Sequence, residues 1–267
     1  MYLSYYGLEF NPFDKDIETK YAYETKDFQI LKNRLNFVKE NKTMALITGN
    51  PGMGKTFIIR NFLNELNKNL YKVIYMCMST VTTHEFYKQL CYELGIEPQH
   101  KKIDMFRDIQ SQILTLSRDK KINIIIVIDE AQYLKPAILN DLKMLLNFDL
   151  DSKNYVSLIL VGQPVLNSIL RRNIFDALSQ RITVSYNMNG IDKNELKEYI
   201  ESRIKIAHGN NGIFNEQATE AIYNACGGSI RVANNIITKC FIIGKSKDSQ
   251  IIDSDIVLES ANELALG

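Results

Sequence analysis

The chain has 267 residues, which is enough for one large domain or two smaller ones. Hydrophobic residues make up 45% and charged residues 24% of it, the proportions of an ordinary water-soluble globular protein. With 32 basic and 31 acidic side chains the net charge is +1, which excludes a uniformly basic surface, so any nucleic-acid contact must be a local patch.

Membrane and redox signals in the sequence predict a soluble protein in the cytoplasm, without a membrane partner. The longest apolar run, residues 124–128, is far too short to cross a bilayer, and residues 1–7 lack the basic and apolar regions of a signal peptide. The cysteines form no C-x-x-C pair, suit a reducing compartment and are interpreted as small buried apolar residues. They are Cys77, Cys91, Cys226 and Cys240.

The first informative element is an apolar run at residues 44–48, which predicts a buried strand. Residues 49–56 after it read Gly-Asn-Pro-Gly-Met-Gly-Lys-Thr and fit G-x-x-x-x-G-K-[ST], the loop that cradles nucleotide phosphates; residues 57–66 have helical apolar spacing. The glycines let successive N–H groups point at one anion, Lys55 adds charge near the β- and γ-phosphates, and Thr56 offers a hydroxyl to Mg²⁺. The predicted nucleotide-binding residues of this region are Gly49, Asn50, Pro51, Gly52, Met53, Gly54, Lys55, Thr56 and Phe57.

Strand-like and helix-like runs alternate through the next part of the chain. Strands are predicted at residues 73–78 (a buried strand), 122–128, 156–161 and 182–186. Helices are predicted at residues 86–94, at 105–116 with Asp104 as N-cap, and at 139–148. This alternation predicts an α/β fold with a mostly parallel five-stranded sheet and helices on both faces.

The pattern changes near residues 189–190, and only helices are predicted beyond that point. They cover residues 192–207, 216–226 and 229–244, and a last one starts near 253. The first three have polar N-caps: Asp192, with Glu195 completing a capping box, Asn215 and Ser229; the last helix starts with Asp253. We therefore predict a first domain at residues 1–188, containing an N-terminal segment and the phosphate-loop core, and a small helical lid domain at residues 189–267.

The third predicted strand ends in Asp129 and Glu130. A buried strand that delivers two acidic residues at its carboxyl edge, downstream of a phosphate loop, is the Walker B arrangement. Asp129 would hold Mg²⁺ through water, together with Thr56, and Glu130 would polarise the attacking water. A solvated acidic turn is the alternative, and the phosphate loop upstream weakens it.

Five further polar residues are candidates for reading the nucleotide. Gln163, after the fourth strand, has two interpretations of equal standing: a side chain that positions water or reports nucleotide state, or an ordinary loop glutamine. Arg181, just before the fifth strand, could reach a neighbouring subunit's nucleotide, with Arg171 and Arg172 as rivals and a solvated arginine as the plain alternative. Arg231 lies in the first turn of a helix, where the helix dipole disfavours a positive charge, and this favours a contact with nucleotide.

In this order, the motifs resemble those of AAA+ ATPases, and the resemblance covers almost the whole chain. In it, residues 49–56 correspond to Walker A, residues 129–132 to Walker B, Gln163 to sensor 1, Arg181 to the arginine finger acting in trans, and Arg231 to sensor 2. It implies a five-stranded core, a helical lid, and ATP with Mg²⁺ bound between subunits of a ring or filament. Gln163 departs from the asparagine, serine or threonine common at sensor 1.

Within AAA+, residues 5–13 are similar to the Gly-Leu-x-x-x-Pro-Phe opening of the ExeA-like group, which includes the TnsC/TniB-type ATPases of transposons. By that resemblance, this segment would pack beside the adenine. ExeA-type secretion proteins carry further membrane-spanning and periplasmic parts, which are not found in these 267 residues. The compact transposon ATPases are therefore the expected counterparts.

The leading hypothesis is an ATPase that assembles on double-stranded DNA in an ATP-dependent way and regulates transposition by recruiting or activating a transposase. Two alternatives remain: an ATP-switched protein–protein adaptor, and a helicase loader or replication initiator, which the lack of a recognition-helix signature weakens.

DNA contacts are expected to be largely independent of base sequence. The densest basic clusters flank the helix predicted at residues 105–116, and they comprise Lys101 and Lys102 on one side and Arg118, Lys120 and Lys121 on the other. For either cluster alone a solvated surface is the plainer interpretation. Repeated along a ring or filament, however, such modest charges can sum to strong phosphate binding.

Overall fold

A five-stranded sheet organises the computed structural model, which describes residues 2–14, 17, 21–77, 82–148, 153–210 and 212–265. The strands are β1 (Met44–Thr48), β2 (Tyr71–Cys77), β3 (Asn123–Asp129), β4 (Val156–Gly162) and β5 (Ile182–Asn187). They lie in the order β2-β3-β4-β1-β5, and every neighbouring pair is parallel. The predicted parallel sheet is confirmed, with β1, which leads into the phosphate loop, between β4 and β5.

Helices precede, connect and follow these strands. They are α1 (Tyr2–Tyr5), α2 (Lys26–Asn41), α3 (Lys55–Asn64), α4 (Thr83–Leu94), α5 (Lys102–Leu114), α6 (Pro136–Leu145), α7 (Val165–Leu170), α8 (Asp176–Ser179), α9 (Lys193–Ile206), α10 (Glu216–Cys226), α11 (Ile230–Ser246) and α12 (Ser254–Ala265). A π-helical turn, Thr115–Asp119, continues α5, and a 3₁₀ turn, Ala131–Tyr133, follows β3. Within the described ranges, no helix combines the length and apolar character needed to span a bilayer.

The sheet and its helices form one compact unit, residues 30–50 and 55–188. β1 and β4 are buried along their whole length, as expected for the inner strands of a parallel sheet. On one face, alternate strand residues pack with the buried sides of α4, α5 and α6 in a single apolar cluster. On the other face, the Ser157 hydroxyl of β4 donates to the Val38 carbonyl of α2 at 3.0 Å. Helices therefore cover both faces, as predicted.

The second compact unit comprises residues 1–29, 51–54 and 189–267. Its core joins the N-terminal side chains Tyr6, Leu8 and Phe13 to the buried sides of helices α9 to α12. The Tyr6 hydroxyl donates to the Ser249 carbonyl at 2.8 Å, and it lies so close to α11 that a Cβ atom on Gly244 would be 2.3 Å from it. The described residues of this N-terminal segment, which is predicted above as part of the first domain, pack here because their apolar side chains complete this core.

The predicted caps of the C-terminal helices are confirmed. At α9, Asp192 accepts from the Glu195 N–H at 2.9 Å and Glu195 accepts from the Asp192 N–H at 3.1 Å, a complete capping box. Asn215 and Ser229 cap α10 and α11 with their side chains, and the Asp253 carboxylate accepts from an N–H in the first turn of α12. The predicted ends are less accurate, since α11 continues past residue 244 to Ser246.

Several predicted elements need correction. The second strand begins at Tyr71 rather than 73, and it is an edge strand with Tyr75 and Cys77 exposed, not a buried one; Met78 lies outside the described residues. The cysteine interpretation is therefore wrong for Cys77 and confirmed for the three buried ones. The predicted N-cap Asp104 is also wrong, because α5 starts earlier and places Asp104 in its first turn.

Candidate functional site

The phosphate loop leads from β1 into α3, and its backbone has the conformations that the glycines predict. Gly52 and Gly54 have φ values of 81° and 94°, in the left-handed region that favours glycine. Lys55 opens α3 and is buried, and its ammonium donates to the carbonyls of Gly49 at 2.7 Å and Asn50 at 3.1 Å. A cation thus lies within the loop at the N-terminal end of a helix, a combination that suits phosphate oxygens.

The outer part of the loop contacts the start of α11. The Gly52 carbonyl accepts from the Arg231 N–H at 3.2 Å, and the Ser229 hydroxyl lies 3.4 Å from the Pro51 carbonyl oxygen. A Cβ atom on Gly52 would be 2.3 Å from the Ser229 hydroxyl, so this approach also requires glycine. The Arg231 backbone is therefore tied to the loop, whereas its exposed side chain's contact with nucleotide stays a prediction.

Asp129, at the end of β3, is the most heavily hydrogen-bonded acid of the site. Only 3% of its surface is exposed. Its Oδ2 accepts from the Thr56 hydroxyl at 2.8 Å and from the Tyr75 hydroxyl at 2.6 Å, and its Oδ1 accepts from the Glu130 N–H at 2.8 Å. The structure thus brings together Thr56 and Asp129, whose hydroxyl and carboxylate oxygens fit the ligand chemistry of Mg²⁺.

Tyr75 is a site residue that the sequence analysis missed. It lies on β2, two residues before the position that pairs with Asp129 in the β2–β3 register. Burial and the hydrogen bond to the Asp129 carboxylate raise the pKa of its hydroxyl, which stays a donor at neutral pH. No sequence motif marks Tyr75, because its contact depends on strand register alone.

Glu130 and Gln163 lie at the same edge of the sheet and are joined through Gln132. The Gln132 amide nitrogen donates to the Glu130 carboxylate at 2.5 Å, and the Gln132 amide oxygen accepts from the Gln163 N–H at 3.1 Å. The predicted base and the predicted sensor are therefore linked by one side chain. In sequence, Gln132 is only the last residue of the predicted Walker B motif, residues 129–132, and nothing there predicts this contact.

A second polar chain crosses the carboxyl ends of β1 and β5. The Asn167 amide donates to the Thr48 hydroxyl at 2.9 Å, and the Thr48 hydroxyl donates to the Asn187 side-chain oxygen at 3.0 Å. Thr48 directly precedes the phosphate loop and is buried, so these bonds fix the strand end from which the loop departs. None of the three residues belongs to a recognisable sequence pattern.

Arg181 lies at the amino-terminal end of the parallel strands, whereas the phosphate loop follows the carboxyl-terminal end of β1. It directly precedes β5, whose first residue, Ile182, pairs with Met44 at the start of β1. Its guanidinium lies 3.4 Å from the Lys143 carbonyl oxygen, and its side chain is half-buried. Because β1 rises about 3.3 Å per residue, roughly 13 Å of strand separates this end from the loop. Arg171 and Arg172 follow α7 and are exposed.

The two predicted basic clusters lie apart from each other, and two of their side chains have partners within the protein. Lys102 forms an ion pair with Asp141 at 2.5 Å, and Arg118 donates to the Tyr155 hydroxyl at 2.8 Å. Lys101 precedes α5, whereas Lys120 and Lys121 follow its π-helical extension, so about 25 Å of helix lies between them. All three are exposed. A single subunit therefore carries two small basic sites at opposite ends of one helix, not one patch.

Comparison with known proteins finds relatives that match more than nine-tenths of this chain. Residues 38–170 match the AAA domain family. The chain is 28% identical to general secretion pathway protein A of Aeromonas hydrophila over 97% of its own length and 48% of that protein, and so spans about half of it. It is 22% identical to ATP-dependent target DNA activator B of Escherichia phage Mu, over 91% of this chain and 73% of the activator.

Among solved structures, Cdc6p from Pyrobaculum aerophilum has a similar fold. Its TM-score is 0.70 at 18% identity, and the match covers 94% of this chain and 70% of that one. At this identity the likeness concerns the fold, and it extends over both the sheet and the C-terminal helices.

Proposed function

Since residues 38–170 belong to the AAA domain family and the chain is an AAA+ P-loop NTPase of the ExeA-like group, we propose that it hydrolyses ATP in assemblies on double-stranded DNA and thereby regulates DNA transposition. The observation that carries the ATPase part is the hydrogen bond between Thr56 and Asp129, next in sequence to Lys55 and Glu130. A phosphate-binding residue and a base are thereby available for a phosphoryl transfer to water.

In the proposed mechanism the side chains of this chain bind, orient and accept a proton. The loop N–H groups and Lys55 bind the phosphates of ATP. Thr56 and Asp129 would hold Mg²⁺, which when bound neutralises charge on the phosphate oxygens. Glu130 accepts a hydrogen bond, and then the proton, from the attacking water. Gln163, which directly follows β4, positions that water.

Self-assembly is supported by the location of Arg181. An arginine that stabilises transferred phosphate must reach the γ-phosphate, and roughly 13 Å of strand separates Arg181 from the start of its own loop. We propose that it serves the nucleotide of a second copy, so that the active unit is a ring or a filament. Arg171 and Arg172, both exposed, are the alternatives for this task.

The DNA part of the proposal is supported by the similarity to the phage Mu target DNA activator. Lys101, Lys120 and Lys121 are exposed on each subunit, and a repeating assembly would present them at regular intervals to the phosphates. Binding through phosphates would be largely independent of base sequence. A transposase is then the partner that the assembly recruits or activates.

The experiment is a salt titration of a fluorescent DNA duplex with the ATP analogue ATPγS, with ADP or without nucleotide, followed by electron microscopy of the products. We expect binding with ATPγS only, falling steeply with salt, and rings or filaments on the DNA. The triple variant Lys101→Ala/Lys120→Ala/Lys121→Ala should bind more weakly and with a shallower salt dependence. No binding at low salt with ATPγS would reject the DNA role.

A second candidate function is an ATP-switched adaptor that binds another protein and no DNA. The observation that favours it is the 28% identity to the secretion pathway protein, which covers 97% of this chain. An adaptor would hydrolyse ATP and assemble with ATPγS, as the first candidate does. It would bind no duplex at low salt, and the titration therefore separates the two functions.

A further inference from the structure

Gln132 lies two residues after Glu130, in the turn Ala131–Tyr133 that follows β3, and its side chain is half-buried. We infer that Gln132 is a positioning residue for hydrolysis, whose amide holds the Glu130 carboxylate in place against the end of β4. This inference deepens the proposed function and rests on it, since Glu130 is the proposed base.

The orientation of the Gln132 amide is fixed by the chemistry of its two partners. A carboxylate can only accept a hydrogen bond and a backbone N–H can only donate one. The amide nitrogen must therefore face Glu130, at 2.5 Å, and the amide oxygen must face the Gln163 N–H, at 3.1 Å. The reversed amide would place oxygen against oxygen and nitrogen against nitrogen. Glu130 is thus bound to a donor that is itself anchored to β4.

Gly162, the last residue of β4, provides the space for this amide. A Cβ atom on Gly162 would be 2.5 Å from the Gln132 amide oxygen, closer than any such contact in proteins. The φ of Gly162 lies outside the left-handed region, so its backbone conformation does not require glycine. Leu166 Cδ2 would lie 3.0 Å from the same Cβ atom, so Gln132 and Leu166 together fill the space beside Gly162, and Gln132 makes the closer approach.

Hydrogen bonds hold the backbone of Glu130, but its side chain needs a separate restraint. The Glu130 φ of 54° and ψ of 37° are left-handed, a conformation that non-glycine residues seldom adopt. Bonds from the Glu130 N–H to Asp129 and from the Tyr133 N–H to the Glu130 carbonyl hold that backbone. They do not restrain the rotatable bonds of the side chain. Gln132 supplies that restraint at the carboxylate itself.

The central test compares ATP hydrolysis by the wild-type protein and by Gln132→Ala. We expect kcat to fall about 10- to 100-fold, because a base displaced by about 1 Å loses its alignment with the attacking water. KM for ATP should stay within about twofold, since the hydrogen bonds of the Gln132 side chain go to Glu130 and to the Gln163 N–H and not to the phosphate loop. The matched control is Gln89→Ala, which removes a Gln–Glu hydrogen bond to Glu93 on α4 and should leave kcat unchanged.

A pH profile of Gln132→Glu tests the donor role in a side chain of the same size. Near pH 8 two carboxylates would face each other, and kcat should be as low as in Gln132→Ala. Towards about pH 5.5 the pair can share a proton, a donor returns, and the ratio of mutant to wild-type kcat should rise. A ratio that does not change with pH would contradict a donor role for residue 132.

Gly162→Ala provides an independent route to the same defect. Its methyl group would displace the Gln132 oxygen, so kcat should fall as in Gln132→Ala. In the Gln132→Ala background the same change should add little, because the partner is already gone. Additive losses would overturn the shared mechanism.

The outcomes distinguish the proposed function, ATP hydrolysis, from the inferred positioning role of Gln132. A wild-type protein that hydrolyses no ATP would overturn the proposed function and this inference with it. A wild-type protein that hydrolyses ATP, beside a folded Gln132→Ala variant with unchanged kcat, would overturn the inference alone. Loss of ATP binding together with kcat in Gln132→Ala would also overturn it, because that result describes a collapsed loop and not a misplaced base.

Discussion

Asp129 and Glu130 are neighbours in sequence and differ in what holds them. Asp129 is buried and accepts hydrogen bonds from two side-chain hydroxyls, those of Thr56 and Tyr75. Glu130 is half-buried, in a left-handed turn, and its carboxylate is held by a single amide. A carboxylate that is held in one orientation suits a metal ligand, whereas a more accessible one suits proton transfer.

Substitutions of Lys55 and Glu130 should separate binding from chemistry. Lys55→Ala removes the charge within the phosphate loop and should abolish ATP binding. Glu130→Gln keeps shape and hydrogen bonding but cannot take a proton, so it should bind ATP normally and lose about 100-fold or more in kcat. Fluorescent-nucleotide titration and phosphate release measure the two effects, and equal hydrolysis by wild type and Glu130→Gln would exclude Glu130 as the base.

Tyr75→Phe should weaken the response to Mg²⁺. The Tyr75 hydroxyl donates to Asp129 at 2.6 Å, and its loss removes one of the bonds that orient this carboxylate towards its proposed metal. We expect the Mg²⁺ concentration for half-maximal hydrolysis to rise about three- to tenfold, which corresponds to the net contribution of an ordinary hydrogen bond. Tyr92→Phe, an exposed tyrosine of α4, is the control and should leave the Mg²⁺ response unchanged.

The sequence predicts those site residues that belong to a continuous motif, and it does not predict those that reach the site from a distant segment. Lys55 and Thr56 belong to one contiguous loop, and Asp129 ends an apolar run, so spacing alone identifies them. Tyr75 contacts Asp129 through the register between two strands, and Gln132 reaches the end of β4 through a turn. Neither contact has a signature in local sequence, because it depends on pairing between distant segments.

Among the elements, the helices were predictable where their ends carried caps. Asp192 with Glu195, Asn215 and Ser229 mark the starts of α9, α10 and α11 in the sequence and in the structure. The sequence analysis assigned no helix to α2, although its buried residues Phe28, Leu31, Leu35 and Val38 recur at helical spacing. Polar residues outnumber apolar ones in this stretch, so the apolar side of the helix is narrow and the pattern is easily missed.

The cap of α9 predicts a specific dependence of stability on acid. The Glu195 N–H and the Lys26 ammonium hold the pKa of the Asp192 carboxyl below its usual value. A carboxyl with a lowered folded-state pKa stabilises the protein above its unfolded pKa, near 4, and this contribution disappears as the pH falls below that value. The Asp192 side chain is 40% exposed, so its ion pair with Lys26 contributes little and the cap dominates.

Asp192→Ala should therefore lower the free energy of unfolding by about 1 kcal/mol at pH 7, and the difference from wild type should shrink between about pH 5 and pH 3. Urea titrations monitored by circular dichroism measure both effects. Asp192→Asn is the matched control, since asparagine keeps the cap without the charge. It should retain most of the stability at pH 7, and the small part that it loses should disappear as the pH falls. A difference between wild type and Asp192→Ala that is constant over this pH range would show that the charge of the carboxylate adds nothing to the cap.

At the scale of the whole molecule, the predicted site residues lie at both ends of the parallel strands. The phosphate loop, Asp129 and Glu130 are at the carboxyl-terminal ends, and Arg181 is at the amino-terminal end of β5. The fold was predictable from the alternation of strands and helices. The packing of residues 1–29 with the C-terminal helices was not, because those contacts span most of the chain and leave no local pattern.

Mixing two inactive variants should restore hydrolysis if Arg181 acts on a neighbour. Arg181→Ala keeps its own pocket, and Glu130→Gln binds ATP and still offers Arg181. In a 1:1 random mixture about a quarter of the interfaces would combine an intact pocket with an intact arginine, so about a quarter of wild-type activity is expected. Arg171→Ala and Arg172→Ala serve as controls, and no recovery at any ratio in intact assemblies would exclude the trans role.

The hydrogen bond between Tyr6 and Ser249 joins residues 243 positions apart. A ribosome that adds roughly 5–20 residues per second completes Ser249 on the order of 10–50 s after Tyr6. The last strand, β5, is finished before any of α9 to α12 has been made, so the sheet can form while the N-terminal segment waits. During that interval Tyr6, Leu8 and Phe13 have none of the C-terminal helices that later bury them. The order of synthesis thus leaves these three apolar side chains without their burial partners, and open to chaperone binding, until the C-terminal helices have been made.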